Sequence, residues 1–168
     1  MKSPKTKLLD HAFGIFRPEG NEGVVEWAEK HAYLSERVTE MAGQYRTSEH
    51  PYVREVLENW KDPKVKKVSL CWGSQTSKTT TIYVGLGWAI DRSPAPILWV
   101  WSNEKQARNF ANDRFIPFCE DSAALARHLP KTSEGKIDRD RATALRIEFD
   151  RCSLNMIGGQ SQRNVRNY

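Results

Sequence analysis

An α/β fold is what this sequence predicts, and three observations predict it. Residues 65–72 and 97–101 are two runs with β-branched and aromatic content and no Gly or Pro inside, as strands require. Each is followed by a segment whose apolar residues recur at helical spacing. Near the end, two short alternating runs separated by a tight turn read as a β-hairpin. Strand, helix, strand, helix and hairpin in that order suit parallel strands joined by right-handed crossovers.

Taken in order, residues 1–23 are polar with isolated aromatics, Phe13 and Phe16, and end in a turn-rich stretch at Gly20 and Gly23, which predicts a short helical arm and a linker. Val24, Val25, Trp27, Ala28, His31, Ala32 and Leu34 fall mostly on one face at helical spacing and predict a docking helix. Ser48 ahead of Pro51 suits a capped first turn, with Tyr52, Val56, Leu57 and Trp60 at helical intervals and a stop at Pro63. After the strand at residues 65–72, the segment from Thr81 to Ile90 is long enough for a helix. Asp91, Arg92, Ser93 and Pro94 break the chain there. The Ile-Leu-Trp-Val-Trp run of residues 97–101 is the pattern of a parallel strand buried on both faces.

Ser102 or Asn103 is placed to cap the next helix, with Asp113 among its polar positions and Ala107, Phe110, Ala111, Arg114 and Phe115 forming a partly apolar stripe. Pro117 is expected to interrupt or end that helix. Residues 131–142 carry charges, Gly135 and no period, and read as a loop. Leu145, Ile147 and Phe149 then alternate with polar residues, Asp150 and Arg151 turn, and residues 153–157 return.

Between the first strand and its helix lie Gly73, Ser74, Gln75, Thr76, Ser77, Lys78, Thr79 and Thr80. A phosphate-binding loop needs backbone N–H groups curling round anionic oxygens at a helix N-terminus, a lysine reaching the terminal phosphates and a hydroxyl for magnesium. Lys78 supplies the lysine, Thr79 the hydroxyl, and Gly73 the residue that lets the chain leave the strand sharply. Against the usual GxxxxGK(S/T) pattern, Trp72 stands at the first glycine position and Ser77 at the second. On the loop alone two readings stand: a phosphate cradle, or a Ser/Thr-rich turn that caps a helix.

The sequence resembles the GpA-type terminase large subunits of lambda-like phages. The resemblance is carried by segments in family order: residues 16–19, 25–28 with Leu34 and Ser35, 43–47 with Pro51 and Tyr52, the loop 74–79, the strand 96–101, and the hairpin running into residues 158–161. It implies a partial P-loop NTPase three-layer sandwich, binding ATP with Mg2+. It also implies an adenine-side role for Tyr45 and Tyr52, since a base stacks on a ring face. The implied partners are the small terminase subunit, docking on the N-terminal arm, double-stranded DNA, and the portal of the procapsid. On this reading residues 1–43 are the arm and docking helix, and residues 44–168 an incomplete ATPase domain lacking the acidic Walker B strand and the nuclease. The chain alone is then expected not to hydrolyse ATP. Two other readings stay open: a non-enzymatic prophage remnant, or a fragment of a helicase-like P-loop ATPase.

Composition is compatible with this. The chain has 168 residues, 39% hydrophobic and 28% charged, with a net charge of +5, a balance that permits contact with a polyanion without forming a dedicated basic arm. Lys61, Lys64, Lys66, Lys67, Arg163 and Arg166 are the candidate DNA contacts, against the commoner reading of a solvated basic face. Three widely spaced cysteines suggest neither a disulfide framework nor a zinc site, and four scattered histidines are assigned no chemistry. Asp138, Asp140, Glu148 and Asp150 read as solvated surface. No run is long enough to span a membrane and no signal-peptide core follows the first residues, so a cytoplasmic location is expected.

Overall fold

The computed structural model describes residues 22–160; the arm at residues 1–21, and Arg163 and Arg166 with the rest of residues 161–168, lie outside the described residues. The chain is mixed α/β. In order it forms α1 (Val24–His31), the two-residue strands β1 (Tyr33–Leu34) and β2 (Gly43–Gln44), a 3-10 turn (Thr47–Glu49), α2 (Val53–Asn59) and α3 (Lys78–Arg92). Then come β3 (Ile97–Trp101), α4 (Glu104–Phe110), a π-helical turn (Ala111–Phe115), α5 (Ile116–Asp121), α6 (Ala123–Ala126), β4 (Arg146–Glu148) and β5 (Ser153–Gly158).

The main sheet is mixed, in the order β3-β5-β4, with β3 parallel to β5 and β4 antiparallel to it. The hairpin expected near the end is therefore present, and its return strand is the parallel partner of β3, with Ile97 opposite Leu154 and Trp99 opposite Met156. Residues 65–72 form no strand among the described residues, which corrects the expectation of a first parallel strand there. β-branched content states only a preference, whereas a strand exists by its ladder, and the neighbour that β3 takes is β5.

Burial is also more one-sided than the β3 sequence suggests. Ile97, Trp99 and Trp101 pack against the core, with the Trp99 and Trp101 rings both 4.7 Å from Phe110 and Trp99 also near Phe115. Leu98 and Val100 on the other face are 41% and 50% exposed. Strand alternation separates the two sets.

Helix α3 is the central element. Its Gly85 lies against the Trp60 ring and its Gly87 against Trp27, and a Cβ at either position would come within 2.8 Å of an indole carbon. Two glycines inside a helix cost about 1 kcal/mol each in propensity. Here they let two indoles seat on the helix backbone, and that burial offsets the cost. Helix α1, read from sequence as a docking helix, packs Trp27 and Ala28 fully into the same core. Helix α2 starts at Val53, two residues beyond Pro51, and no side chain caps it.

Pro117 does not end the helical run. It sits in the first turn of α5, where its missing N–H costs nothing, and the preceding π-helical turn absorbs the change of phase. That widened turn hands the buried position to Phe115 and leaves Arg114 exposed, so Arg114 does not belong to the apolar stripe predicted for it. Asp91 and Arg92, read as a chain break, form the last turn of α3, and Asp91 is buried.

Candidate functional site

The turn between residues 73 and 80 opens the 15-residue helix α3. The first N–H groups of any helix have no intrahelical acceptor, and here they begin at Lys78. The turn is made by two left-handed residues, Gln75 at φ 56° and Ser77 at φ 57°. Gly73 takes no positive φ, and a Cβ there would meet only the Thr76 methyl carbon at 3.8 Å. The sharp exit assigned to Gly73 is thus performed by Gln75 and Ser77. Ser77 stands where the usual pattern has glycine, in the backbone conformation that glycine adopts without cost.

That geometry carries a prediction. A left-handed non-glycine residue costs roughly 1–2 kcal/mol, and glycine gives back about 0.4–1 kcal/mol through the unfolded chain. Ser77→Gly is expected to stabilise the protein by about 0.5–1 kcal/mol, read from the midpoint of urea unfolding. A destabilised variant would show that the Ser77 side chain holds the turn by contact.

Inside the turn, the Thr76 hydroxyl donates to the Gly73 carbonyl at 2.8 Å, and the Thr81 hydroxyl donates to the Ser77 carbonyl at 2.9 Å. The Lys78 ammonium donates to the Trp72 carbonyl at 3.0 Å and to that of Gly73. The lysine is therefore folded back over its own loop, and a side-chain rotation is enough to redirect its donors. Ser74 and Gln75 are exposed, while Thr76 to Thr80 are half-buried.

The two tyrosines predicted for the adenine side are placed differently. Tyr45 is 5% exposed, and burial pushes its phenol up to about 12. It forms part of the wall of a cavity of about 460 Å3 that Gln44, Arg46, His50, Ser77 and Thr80 also line. Tyr52 is 46% exposed and lies edge-on to Trp72 at 5.0 Å, with its hydroxyl 3.5 Å from the Thr76 carbonyl. Both border the turn, Tyr45 from within the core and Tyr52 from the surface.

Sequence reasoning passed over two groups. A second cavity, of about 320 Å3, joins Thr79 to Asp113 and Arg114 of the π-helical turn. Nothing in a linear reading brings residues 79 and 113 together, although a π turn is a recurrent mark of functional sites. At the other end of α3, the buried Asp91 accepts from the Trp27 indole and from His128, both at 2.8 Å, and from Arg127. His128 bonds Asp150 through its other ring nitrogen at 2.8 Å, so Asp150 is more than the solvated surface residue predicted, and His128 has a structural partner on each side. Lys61, Lys64, Lys66 and Lys67 are exposed.

The fold and this site define a mixed α/β domain with a lysine-bearing turn at the mouth of its central helix and a cavity on either side of that turn. The family of the phage terminase large subunit gpA, ATPase domain, matches residues 39–168, and the chain belongs to that family. The resembling segments at residues 16–19, 25–28 and 34–35 precede the matched region. No curated protein and no solved structure matches the chain. Membership places the chain with the large subunits that package phage DNA. Among the described residues no helix is long and apolar enough to cross a membrane.

Proposed function

We propose that the chain binds ATP through residues 73–80 as the nucleotide-binding part of a P-loop packaging motor. The observation that carries this reading is the turn itself: Lys78, held by loop carbonyls at the N-terminus of a long helix, beside a cavity walled by Gln44, Tyr45, Arg46 and His50. In this reading the helix N-terminus and Lys78 take the phosphates. The base enters the cavity past Ser77 and Thr80, with the exposed ring of Tyr52 at its rim and Tyr45 shaping its floor.

The residues present fit a magnesium ion, because the half-buried Thr79 hydroxyl follows the lysine and shares its cavity with the Asp113 carboxylate. Bound there, the ion would neutralise charge on the terminal phosphates. Double-stranded DNA, the small terminase subunit and the portal are the partners we assign, with the exposed lysines at 61–67 as the described surface for DNA phosphates.

The test is titration of a fluorescent ATP analogue against the wild type, Lys78→Ala and Ser77→Gly. Lys78→Ala is expected to weaken binding at least about tenfold, the loss of a charge-assisted contact. Ser77→Gly is expected to bind more tightly, since it removes a side chain from the path of the backbone to the phosphate. Binding indifferent to Lys78 would refute the site.

A further inference from the structure

The cavity beside Thr79 holds groups that phosphate binding by the loop leaves unused. Thr79 and Trp101 line one part of it, and Gln106, Asn109, Asp113 and Arg114 another. The four polar side chains come from one continuous face of α4 and the π-helical turn. Trp101 adds an enclosed indole N–H that has no hydrogen-bond partner.

Arg114 is set apart by its lack of a partner. Apart from Arg46, the other arginines of the described residues each engage a carboxylate or a carbonyl, as Arg92 does with Glu22, Arg108 with Glu104, Arg127 with Asp91 and Arg151 with the Asp91 carbonyl. The same holds for Arg37, Arg54, Arg139, Arg141 and Arg146. Only Arg46 and Arg114 make neither a hydrogen bond nor an ion pair among the described residues, and both line cavities that border the turn, Arg46 with Ser77 and Thr80, Arg114 with Thr79. A guanidinium left unpaired at the mouth of an anion-binding turn is matched by a fork of phosphate oxygens. Asp113, its neighbour in the chain, lines the same cavity. A carboxylate in the same wall opposes a bare anion and suits one that arrives with a divalent cation, as a nucleoside triphosphate does.

We infer that this cavity is the subsite for the terminal phosphate of a nucleoside triphosphate, and that Arg114 distinguishes triphosphate from diphosphate. The inference rests on the nucleotide reading above and adds to it a residue outside the loop. The inner phosphates lie on the turn and Lys78, and the last reaches Arg114 past Thr79. A diphosphate leaves Arg114 unengaged.

The experiment is equilibrium titration of the full chain with a fluorescent non-hydrolysable ATP analogue and the matching ADP analogue, in magnesium, for the wild type, Arg114→Ala, Arg114→Lys and Lys78→Ala. Arg114 is exposed, so its removal leaves the core intact. Arg114→Ala is expected to weaken the triphosphate about tenfold, as for a charge-assisted hydrogen bond at a partly solvated site, and to change the diphosphate less than about twofold. Arg114→Lys is expected to recover part of the loss, and Lys78→Ala to weaken both nucleotides. Equal effects of Arg114→Ala on the two nucleotides, or none on either, would overturn the subsite while the Lys78 result upheld the nucleotide site. Loss of duplex-DNA affinity in Arg114→Ala, read by anisotropy with both nucleotide affinities unchanged, would overturn it in favour of a DNA contact. A wild type that binds neither nucleotide overturns the site and the subsite together.

Discussion

Asp91→Ala is expected to lower the stability of this protein by about 3–5 kcal/mol, the cost of removing one partner from a buried charged cluster. The Asp91 side chain is fully buried and receives hydrogen bonds from Trp27, His128 and Arg127. Without it the buried imidazole, an arginine and an indole N–H from two separate parts of the chain lose their common acceptor. Burial alone would raise the Asp91 pKa, but the bonds from His128, Arg127 and Trp27 outweigh burial and hold it well below its ordinary 3.8. Burial likewise opposes charging of His128. Its bonds to Asp150 and Asp91 outweigh that and raise its pKa above the ordinary 6.5, as expected of a ring with a carboxylate at each nitrogen.

The sign of the pH dependence follows. The His128 contribution is fully present below pH 6.5 and is lost as pH rises through its raised folded value. The Asp91 contribution is present above 3.8 and is lost as pH falls through its depressed folded value. The cluster therefore stabilises most between these two ordinary values, and the difference between the wild type and Asp91→Ala should shrink on both sides. Urea unfolding of both proteins across that range checks it. A loss below about 1 kcal/mol at pH 6 would mean that the cluster is solvated rather than buried.

Gly158→Ala carries the second large effect, expected at about 3 kcal/mol, the upper end of what overpacking costs. A Cβ at residue 158 would lie 2.5 Å from the Glu104 backbone nitrogen and 2.9 Å from the Asn103 carbonyl carbon. These are backbone atoms at the start of α4, where Asn103 caps the helix by accepting from the Gln106 N–H at 2.9 Å, and they cannot swing aside as a side-chain end does. Relief requires α4 to move off the end of β5, which also disturbs Trp101, whose carbonyl accepts from the Gly159 N–H at 2.7 Å. The urea midpoint of the variant against the wild type decides it, and an unchanged midpoint would show that α4 adjusts freely. Because α4 carries Gln106 and Asn109, the variant should also weaken binding of the triphosphate analogue.

Much of the chain was legible without coordinates. Local signals sufficed for α3, for β3 and for the hairpin, since a 3.6-residue period, a compact apolar run and a two-residue alternation are properties of neighbouring residues. The cap expected at Ser102 or Asn103 is made by Asn103 at the start of α4, and the Ser/Thr-rich turn with Lys78 announced the candidate site. The strand expected at residues 65–72 failed for the complementary reason: its residues favour a strand, but a ladder needs a second segment, which no local pattern specifies.

What the sequence by itself determined is therefore the class of fold, the order of most of its elements, and the turn on which the functional reading rests. Only the tertiary structure decided the rest. It chose β5 as the partner of β3, put the left-handed turn on Gln75 and Ser77 instead of Gly73, and separated a buried Tyr45 from an exposed Tyr52. It also gathered Asp91, His128 and Trp27 into one cluster and brought Arg114 to the cavity of Thr79. The physical reason is common to all of these: pairing, burial and charge compensation are set between residues far apart in the chain, and their energies exist only once the core has closed around them.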